Sequence, residues 1–229
     1  MYRSAVGTLL QFVKHSRPDI ANPVRELSKC MDCATPAAMK ELKRLICFVD
    51  QTRDYGLRIE PKVEQMKEWV LKIYTDSDWA GDKNDRHSVS GYVIFVMGVA
   101  VLWKSRLQRV VSLSSSEAEY YAISEAAKDI KFVVQILNSI GINVNMPIIV
   151  HVDNVGAIFM SENVTATQRT KHIDVRYQYV REFIEEGFIK IIFVKSEYNK
   201  STMFTKNVSQ DIYYKHLDSF VLDKNKLLK

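Results

Sequence analysis

Residues 69–78, Trp-Val-Leu-Lys-Ile-Tyr-Thr-Asp-Ser-Asp, are an apolar run that ends in two carboxylates. The composition and length of this run predict a strand from Trp69 to Tyr74. Asp76 and Asp78 stand two residues apart at its carboxyl end, so they share one face while the strand continues. Aspartate, serine and the nearby Gly81 also form polar turns, which is the competing interpretation of the same residues.

Strands and helices alternate downstream of this run. The predicted strands are Gly91 to Met97, Val99 to Lys104, Arg109 to Leu113, Pro147 to Val152 and Phe188 to Val194, the first two forming a hairpin near Gly98. The predicted helices are Ser114 to Ile140, a short helix beginning near Asn154, Thr170 to Glu186 and residues 208–221. This order predicts an α/β domain built on a mixed sheet.

The first 60 residues have a different pattern. Tyr2 to Val13 and Ala37 to Val49 are predicted helices, and neither carries a cluster of catalytic residue types. Glu60 to Glu68 contains Pro61 and several charges and is the best linker candidate. We therefore divide the chain into a mostly helical segment (1–60), a linker (61–69), an α/β domain (70–206) and a helical tail (207–229).

Composition limits the class of protein. The chain has 229 residues, 47% of them hydrophobic and 26% charged, which is ordinary globular composition. The formal net charge of +5 and the pI near 9.0 permit a polyanionic partner. Three cysteines do not make a disulfide scaffold, and the sequence shows neither a secretory signal nor a membrane span. We expect an intracellular protein, cytoplasmic or nuclear, that is not secreted.

Two glutamates open the long predicted helix, and helical geometry separates them. Ser114 with Glu117 and Ser116 with Glu119 both have the spacing of a capping box, so capping is the competing role for either glutamate. Glu119 falls within the apolar stripe of the helix, whereas Glu117 falls on the opposite face. The stripe consists of Ala118, Ala122, Ala126, Ile130, Val133, Leu137 and Ile140. A buried carboxylate is costly unless it is paired or binds a cation, so Glu119 is the candidate functional residue.

A third carboxylate, Asp153, ends the predicted strand at Val152 and precedes a helix. Its position alone favours an ordinary helix cap. Ligand sites of α/β sheets nevertheless gather at the carboxyl ends of strands, so Asp76, Glu119 and Asp153 would meet there if the first and fourth strands are neighbours. Such a cluster repels itself and requires hard divalent cations such as Mg²⁺, and a pair of these ions is the usual apparatus of phosphodiester chemistry.

At these residues the sequence resembles a known family. Five motifs resemble the ribonuclease H domain of copia-type LTR retrotransposon Pol polyproteins: Tyr74 to Asp82, Asp85 to Val93, Leu113 to Tyr120, Asp153 to Ile158 and Thr170 to Tyr177. Upstream, Tyr2 to Leu10 and Arg17 to Ala21 resemble the segment that joins the reverse transcriptase of that family to its ribonuclease H.

The resemblance implies a ribonuclease H-like fold, a mixed five-stranded sheet flanked by helices, preceded here by a small helical segment. It implies hydrolysis of the RNA strand of RNA–DNA hybrids with two Mg²⁺ or Mn²⁺ ions. Asp76, Glu119 and Asp153 occupy the first three acidic positions, and Asp78 is an alternate for Asp76. Upstream Pol and reverse transcriptase segments would be partners of the domain within a full polyprotein.

The chain departs from this family at the fourth acidic position. The family motif after the last strand ends in Ala-Asp-Ile-Phe-Thr-Lys-Pro, whereas residues 201–207 are Ser-Thr-Met-Phe-Thr-Lys-Asn, with Thr202 at the position of the aspartate. A hydroxyl is a weaker Mg²⁺ ligand than a carboxylate, which would weaken one metal position. The Tyr-x-Asp-Asp polymerase motif is also missing. A non-catalytic nucleic-acid-binding relic and a decayed Pol fragment are therefore the competing functional readings.

Candidate contacts with nucleic acid surround the predicted site. They are Arg86, Ser115, Asn154, Lys171, His172 and Arg176. For the basic residues, contact with phosphates competes with the simpler role of a solvated charged face.

Overall fold

The computed structural model describes residues 1–61, 69–82, 85–162 and 171–227. Around the gap at 163–170, side chains are described only to Ser161 and again from Val175, and toward the C-terminal end they are described to Asn225. Nearly all of the predicted linker at 61–69 lies outside the described residues. The chain forms two compact units, one of residues 1–59 and 206–229 and the other of residues 60–205. None of the helices in the described ranges is long and apolar enough to cross a membrane.

The unit of residues 60–205 contains both strands and helices, whereas helices dominate the unit of residues 1–59 and 206–229. The helices are α1 (Tyr2–His15), α2 (Ala21–Ser28), α3 (Pro36–Gln51), α4 (Ser115–Ser139), α5 (Val155–Glu162), α6 (Lys171–Glu185), α7 (Thr202–Thr205), α8 (Gln210–Leu217) and α9 (Lys224–Leu227). The strands are β1 (Tyr55–Leu57), β2 (Leu71–Asp78), β3 (Val89–Val96), β4 (Val99–Leu107), β5 (Ile148–Val152), β6 (Ile189–Phe193) and β7 (Val221–Asp223).

The unit of residues 60–205 is built on a five-stranded sheet with the strand order β4-β3-β2-β5-β6. Strands β2, β3 and β4 are antiparallel, and β5 and β6 run parallel to β2. The predicted mixed five-stranded sheet is therefore confirmed. Its central strand β2 is the run with which the sequence analysis began, and its neighbour β5 has the same direction, so the carboxyl ends of both strands lie at one edge.

The core of this unit lies between the sheet and the helices α4, α5 and α6. Leu71 and Ile73 of β2 belong to the same buried cluster as Ile123 and Ile130 of α4, and burial of these apolar side chains holds the layers together. The predicted apolar stripe of α4 is buried from Ala118 to Val133. Ile140, the last member of the stripe, is 65% exposed because it lies beyond the end of α4.

The predicted strand from Arg109 to Leu113 is wrong. These residues form a loop, in which Leu113 is 77% exposed. The cause is the buried Gln108, whose Nε2 donates to the hydroxyl of Ser90 and to the carbonyl of Ala118, both at 2.9 Å. These bonds tie the chain to the start of α4 directly after β4 and end the strand.

The unit of residues 1–59 and 206–229 joins both ends of the chain. It contains a buried ion pair between Arg17 and Asp19, and the hydroxyl of Tyr213 on α8 donates to Asp19 at 3.0 Å. The helical prediction for residues 208–221 holds for α8 and is wrong at its end. Residues from Val221 to Asp223 form β7, which pairs antiparallel with β1.

Candidate metal centre

Three carboxylates meet at the edge where β2 and β5 end. Asp76 lies on β2, Glu119 lies in the second turn of α4, and Asp153 directly follows β5. Each offers one carboxylate oxygen, and these oxygens lie within 4.8 Å of one another. Asp76 and Glu119 are almost fully buried, with 1% and 4% of their surfaces exposed. Three acidic groups this close repel one another strongly unless a cation lies between them.

Glu119 is held at this edge by Ser77. The backbone N–H and the hydroxyl of Ser77 donate to Oε1 of Glu119 at 2.8 and 3.0 Å. The second oxygen, Oε2, is buried and has no hydrogen-bond partner among the described residues. Burial raises the pKa of Glu119 well above its ordinary value, the charges of Asp76 and Asp153 raise it further, and the Ser77 bonds oppose the shift. An unpartnered oxygen among three carboxylates fits a divalent cation.

Replacing Glu119 with glutamine should stabilise the metal-free protein at neutral pH. The folded protein keeps a proton on Glu119 where the unfolded chain has lost it, so the free energy of unfolding falls as the pH rises above the ordinary glutamate pKa. Between about pH 5 and about pH 8, thermal unfolding in chelator should therefore show a declining Tm for wild type and a flatter profile for Glu119→Gln, which unfolds a few degrees higher at pH 8.

The matched control is Glu117→Gln, two residues earlier on the same helix. This substitution should leave the pH profile of Tm unchanged, because Glu117 lies outside the cluster. Added Mg²⁺ should raise the Tm of the wild type and of Glu117→Gln, and have little effect on Glu119→Gln. If the Tm of all three proteins changed with pH in parallel, the raised pKa of the buried Glu119 carboxyl would be contradicted.

Glu117 caps helix α4, which is the role that the sequence analysis gave as the alternative to a functional one. The hydroxyl of Ser114 accepts from the N–H of Glu117 at 3.1 Å, and Oε2 of Glu117 accepts from the N–H of Leu113 at 2.7 Å. Helix α4 begins at Ser115, so the second capping spacing, Ser116 with Glu119, is not used. The structure thus gives the two glutamates different surroundings, as helical geometry predicts.

Asp76, and not Asp78, lies in the cluster of described carboxylates. The side chain of Asp78 instead lies over Gly81, where an added Cβ would stand 2.0 Å from Oδ2 of Asp78. Strand parity did not separate these two aspartates, because they point to the same face of β2. The difference comes from the turn after the strand.

Asn154 ties the beginning of α5 to the beginning of α4. Its Oδ1 accepts from the N–H of Ala157 at 2.9 Å and from the hydroxyl of Ser116 at 3.2 Å. A Cβ on Gly156 would stand 2.3 Å from the Ser116 hydroxyl oxygen, so a larger residue at this position would force the Ser116 hydroxyl to move. This contact fixes the backbone that directly follows Asp153.

Gly156→Ala should destabilise the protein by about 1–3 kcal/mol, because the new methyl group overlaps the Ser116 hydroxyl. The double variant Gly156→Ala/Ser116→Ala should recover part of this loss, which a double-mutant cycle of urea unfolding measures. Gly7→Ala is the control, since nothing lies within 4 Å of its added Cβ and alanine favours the helix interior by roughly 0.5–1 kcal/mol. A Gly156→Ala variant as stable as wild type would contradict the tight contact.

The remaining predicted nucleic-acid contacts lie in varied surroundings. Arg86 is exposed on the β2–β3 loop, and Ser115 is exposed at the start of α4. The Arg176 guanidinium lies 4.1 Å from the ring centroid of Tyr121. The side chains of Lys171 and His172 lie outside the described residues. Contact of these residues with nucleic acid stays a prediction.

Sequence reasoning missed Thr205. The hydroxyl of Thr205 donates to Oδ2 of Asp76 and also lies 3.0 Å from the carbonyl oxygen of Thr202. Thr202, at the first position of α7, is buried, and its own hydroxyl has no partner among the described residues. The sequence pointed to Thr205 only through its place in the motif at residues 201–207. The spacing of residues does not show that α7 packs against β2.

No family model matches the chain. Retrovirus-related Pol polyproteins of plant transposons are 30–33% identical to it over 91–93% of its length. The one from transposon TNT 1-94 of Nicotiana tabacum is 33% identical over 210 residues, which are 92% of this chain and 15% of that polyprotein. The chain spans 14–15% of the length of these polyproteins.

Two further similarities cover part of the chain. Secreted RxLR effector protein 161 of Plasmopara viticola is 39% identical over 130 residues, which are 56% of this chain and 87% of that protein. The crystal structure of LC11-RNase H1 in complex with RNA/DNA hybrid is 16% identical and covers 56% of this chain and 88% of its own, with a TM-score of 0.42.

Proposed function

The chain belongs to the retrovirus-related Pol polyproteins of copia-type transposons, and from this premise we propose that residues 70–206 are a ribonuclease H-like domain that hydrolyses the RNA strand of RNA–DNA hybrids. Residues 1–60 would then be the remnant of the C-terminal part of a reverse transcriptase. The upstream Pol segments would be its partners where the full polyprotein is made, in the cytoplasm or the nucleus.

The observation that carries this proposal is the cluster of Asp76, Glu119 and Asp153, in which Asp76 and Glu119 are buried, Asp153 is partly buried, and one Glu119 oxygen has no partner among the described residues. Oxygen ligands of this kind suit Mg²⁺ or Mn²⁺. Bound divalent cations would supply charge neutralisation and a water of lowered pKa for the attack on a phosphodiester. The three carboxylates would hold the cations, and Ser77 fixes the orientation of Glu119 through its two hydrogen bonds.

We expect two cations at this site, and Thr202 should weaken the binding of the second one. Its hydroxyl is neutral where the family resemblance places a fourth carboxylate, so the second position has less negative charge to hold an ion. We therefore expect slow cleavage that requires a high concentration of divalent cation.

The test is cleavage of a hybrid with labelled RNA by the full chain in Mg²⁺ or Mn²⁺. The proposal requires cleavage of the RNA in the hybrid, none of single-stranded RNA or duplex DNA, and full loss of activity in chelator. Hybrid that is bound and never cut, at any concentration of either cation, would overturn the proposed hydrolysis.

The second candidate function is binding of nucleic acid without cleavage, and Thr202 is the observation that favours it. A domain that lacks one metal ligand keeps its surface, and the chain as a whole carries a formal charge of +5. Contacts with phosphates release counterions, so binding to hybrid should weaken steeply with salt. Absence of binding at low salt would reject both candidate functions and leave the decayed fragment.

A further inference from the structure

Thr205 connects α7 to the candidate metal centre. Its hydroxyl donates to Oδ2 of Asp76, and its side chain is 1% exposed. The hydroxyl has one proton and two acceptors nearby, the Asp76 carboxylate and the Thr202 carbonyl. A carboxylate oxygen is a stronger acceptor than a backbone carbonyl oxygen, so Oδ2 of Asp76 is the preferred partner of this proton.

The approach of α7 to Asp76 depends on Gly91. In the β2–β3 pairing Gly91 lies directly opposite Asp76. A Cβ on Gly91 would stand 2.6 Å from the Thr205 methyl carbon and 2.8 Å from Cβ of Phe204. Distances this short are not observed for real Cβ atoms, so a glycine at this position is what lets α7 lie against the sheet beside Asp76.

A second anchor fixes the start of α7 to the same strand. The side chain of Asn199 donates from Nδ2 to the carbonyl of Thr75 at 2.8 Å. Its Oδ1 accepts from the hydroxyl and the N–H of Ser201, at 2.6 and 3.2 Å. All three residues are fully buried. The backbone directly before Asp76 is therefore tied to the residues that lead into α7, and the Asp76 side chain is tied to α7 itself.

We propose that Thr205 is a positioning residue for Asp76, which holds this carboxylate toward Glu119 and Asp153 and so sets the affinity of the centre for divalent cations. The inference rests on the proposed function. Without a cation the three carboxylates repel one another, and a buried donor on Asp76 opposes its rotation away from the cluster. Hydrogen-bond partners of metal ligands commonly change metal affinity by roughly 10–100-fold.

The experiment measures Mn²⁺ binding to the full chain by calorimetry, with hybrid affinity in chelator and Tm as companion readouts. Thr205→Val removes the hydroxyl at nearly constant volume, and Thr205→Ala removes it without placing a methyl group against Asp76. Both should weaken Mn²⁺ binding by about tenfold and leave hybrid affinity without metal unchanged. Thr205→Ser keeps the hydroxyl, so its affinity for Mn²⁺ should stay within about twofold of the wild-type affinity.

Thr75→Val is the matched control. Thr75 neighbours Asp76, is fully buried, and has a hydroxyl without a partner among the described residues. Its loss should not change Mn²⁺ affinity. If wild type, Thr205→Val and Thr205→Ala bind Mn²⁺ equally, the proposed positioning role of Thr205 is wrong, but the proposed metal centre is still supported. If wild type binds no Mn²⁺ at all, the proposed function fails, and the inference fails with it. If either Thr205→Val or Thr205→Ala does not fold, the Mn²⁺ affinity of the other variant tests the positioning role.

Discussion

Replacing Asp153 with asparagine should reduce hybrid cleavage by about 10²-fold or more, the loss typical of removing one preorganised electrostatic group. Affinity for the hybrid, measured in chelator, should stay equal or rise slightly. Asparagine keeps the shape of the side chain and removes one of the three carboxyl groups at the edge of the sheet. Cleavage needs the charge of Asp153 to hold a cation, whereas the phosphates of the substrate are repelled by it.

The measurement pairs a cleavage assay with a hybrid-binding titration at two salt concentrations. Asp50→Asn is the matched control, because it changes the net charge equally at an exposed site in the other compact unit. The control should cleave like wild type. Cleavage by Asp153→Asn at the wild-type rate would remove Asp153 from the site. Binding that does not respond to salt would show that phosphate contacts do not carry the affinity.

The sequence predicts the parts of this site that depend on periodicity. The apolar run before Asp76 becomes the central strand, and the helical stripe from Ala118 to Val133 becomes the buried face of α4. Since Glu119 lies in that stripe, its burial follows from counting residues along a helix. Asp153 follows a five-residue apolar strand, and parallel pairing with β2 brings it to the same edge.

Features that depend on contacts between distant segments were not predictable. Thr205 meets Asp76 across 129 positions of the chain, and Gly91 and Gly156 are recognised only by the atoms that a Cβ would meet. Asp76 and Asp78 have the same parity, so the turn at Gly81 decides between them. The missing strand at Arg109 to Leu113 has the same origin, because the buried side chain of Gln108 overrides an apolar pattern.

Thr202→Asp should raise hybrid cleavage, and the gain should be largest at low Mg²⁺, where a missing anionic ligand limits occupancy most. Thr202 is buried with an unpartnered hydroxyl, and its carbonyl lies 3.0 Å from the Thr205 hydroxyl that contacts Asp76. A fourth carboxylate there adds negative charge that a second cation would neutralise. Without metal the new charge is buried at a position that is 5% exposed, so the variant should unfold at a lower Tm in chelator and gain more from Mg²⁺.

Thr202→Asn separates charge from shape, because its side chain matches aspartate in size and carries no charge. Across a Mg²⁺ titration, the cleavage rate of Thr202→Asp should exceed that of wild type, by roughly tenfold or more at low Mg²⁺, which is the usual effect on metal affinity of groups around a metal site. The cleavage rate of Thr202→Asn should stay near that of wild type. Equal activity of all three proteins over the whole titration would show that another group already fills the fourth position, and Glu197, which precedes α7, would be the first to replace. A rise for both variants would assign the effect to packing and not to charge, because only the aspartate adds a ligand that attracts a second cation.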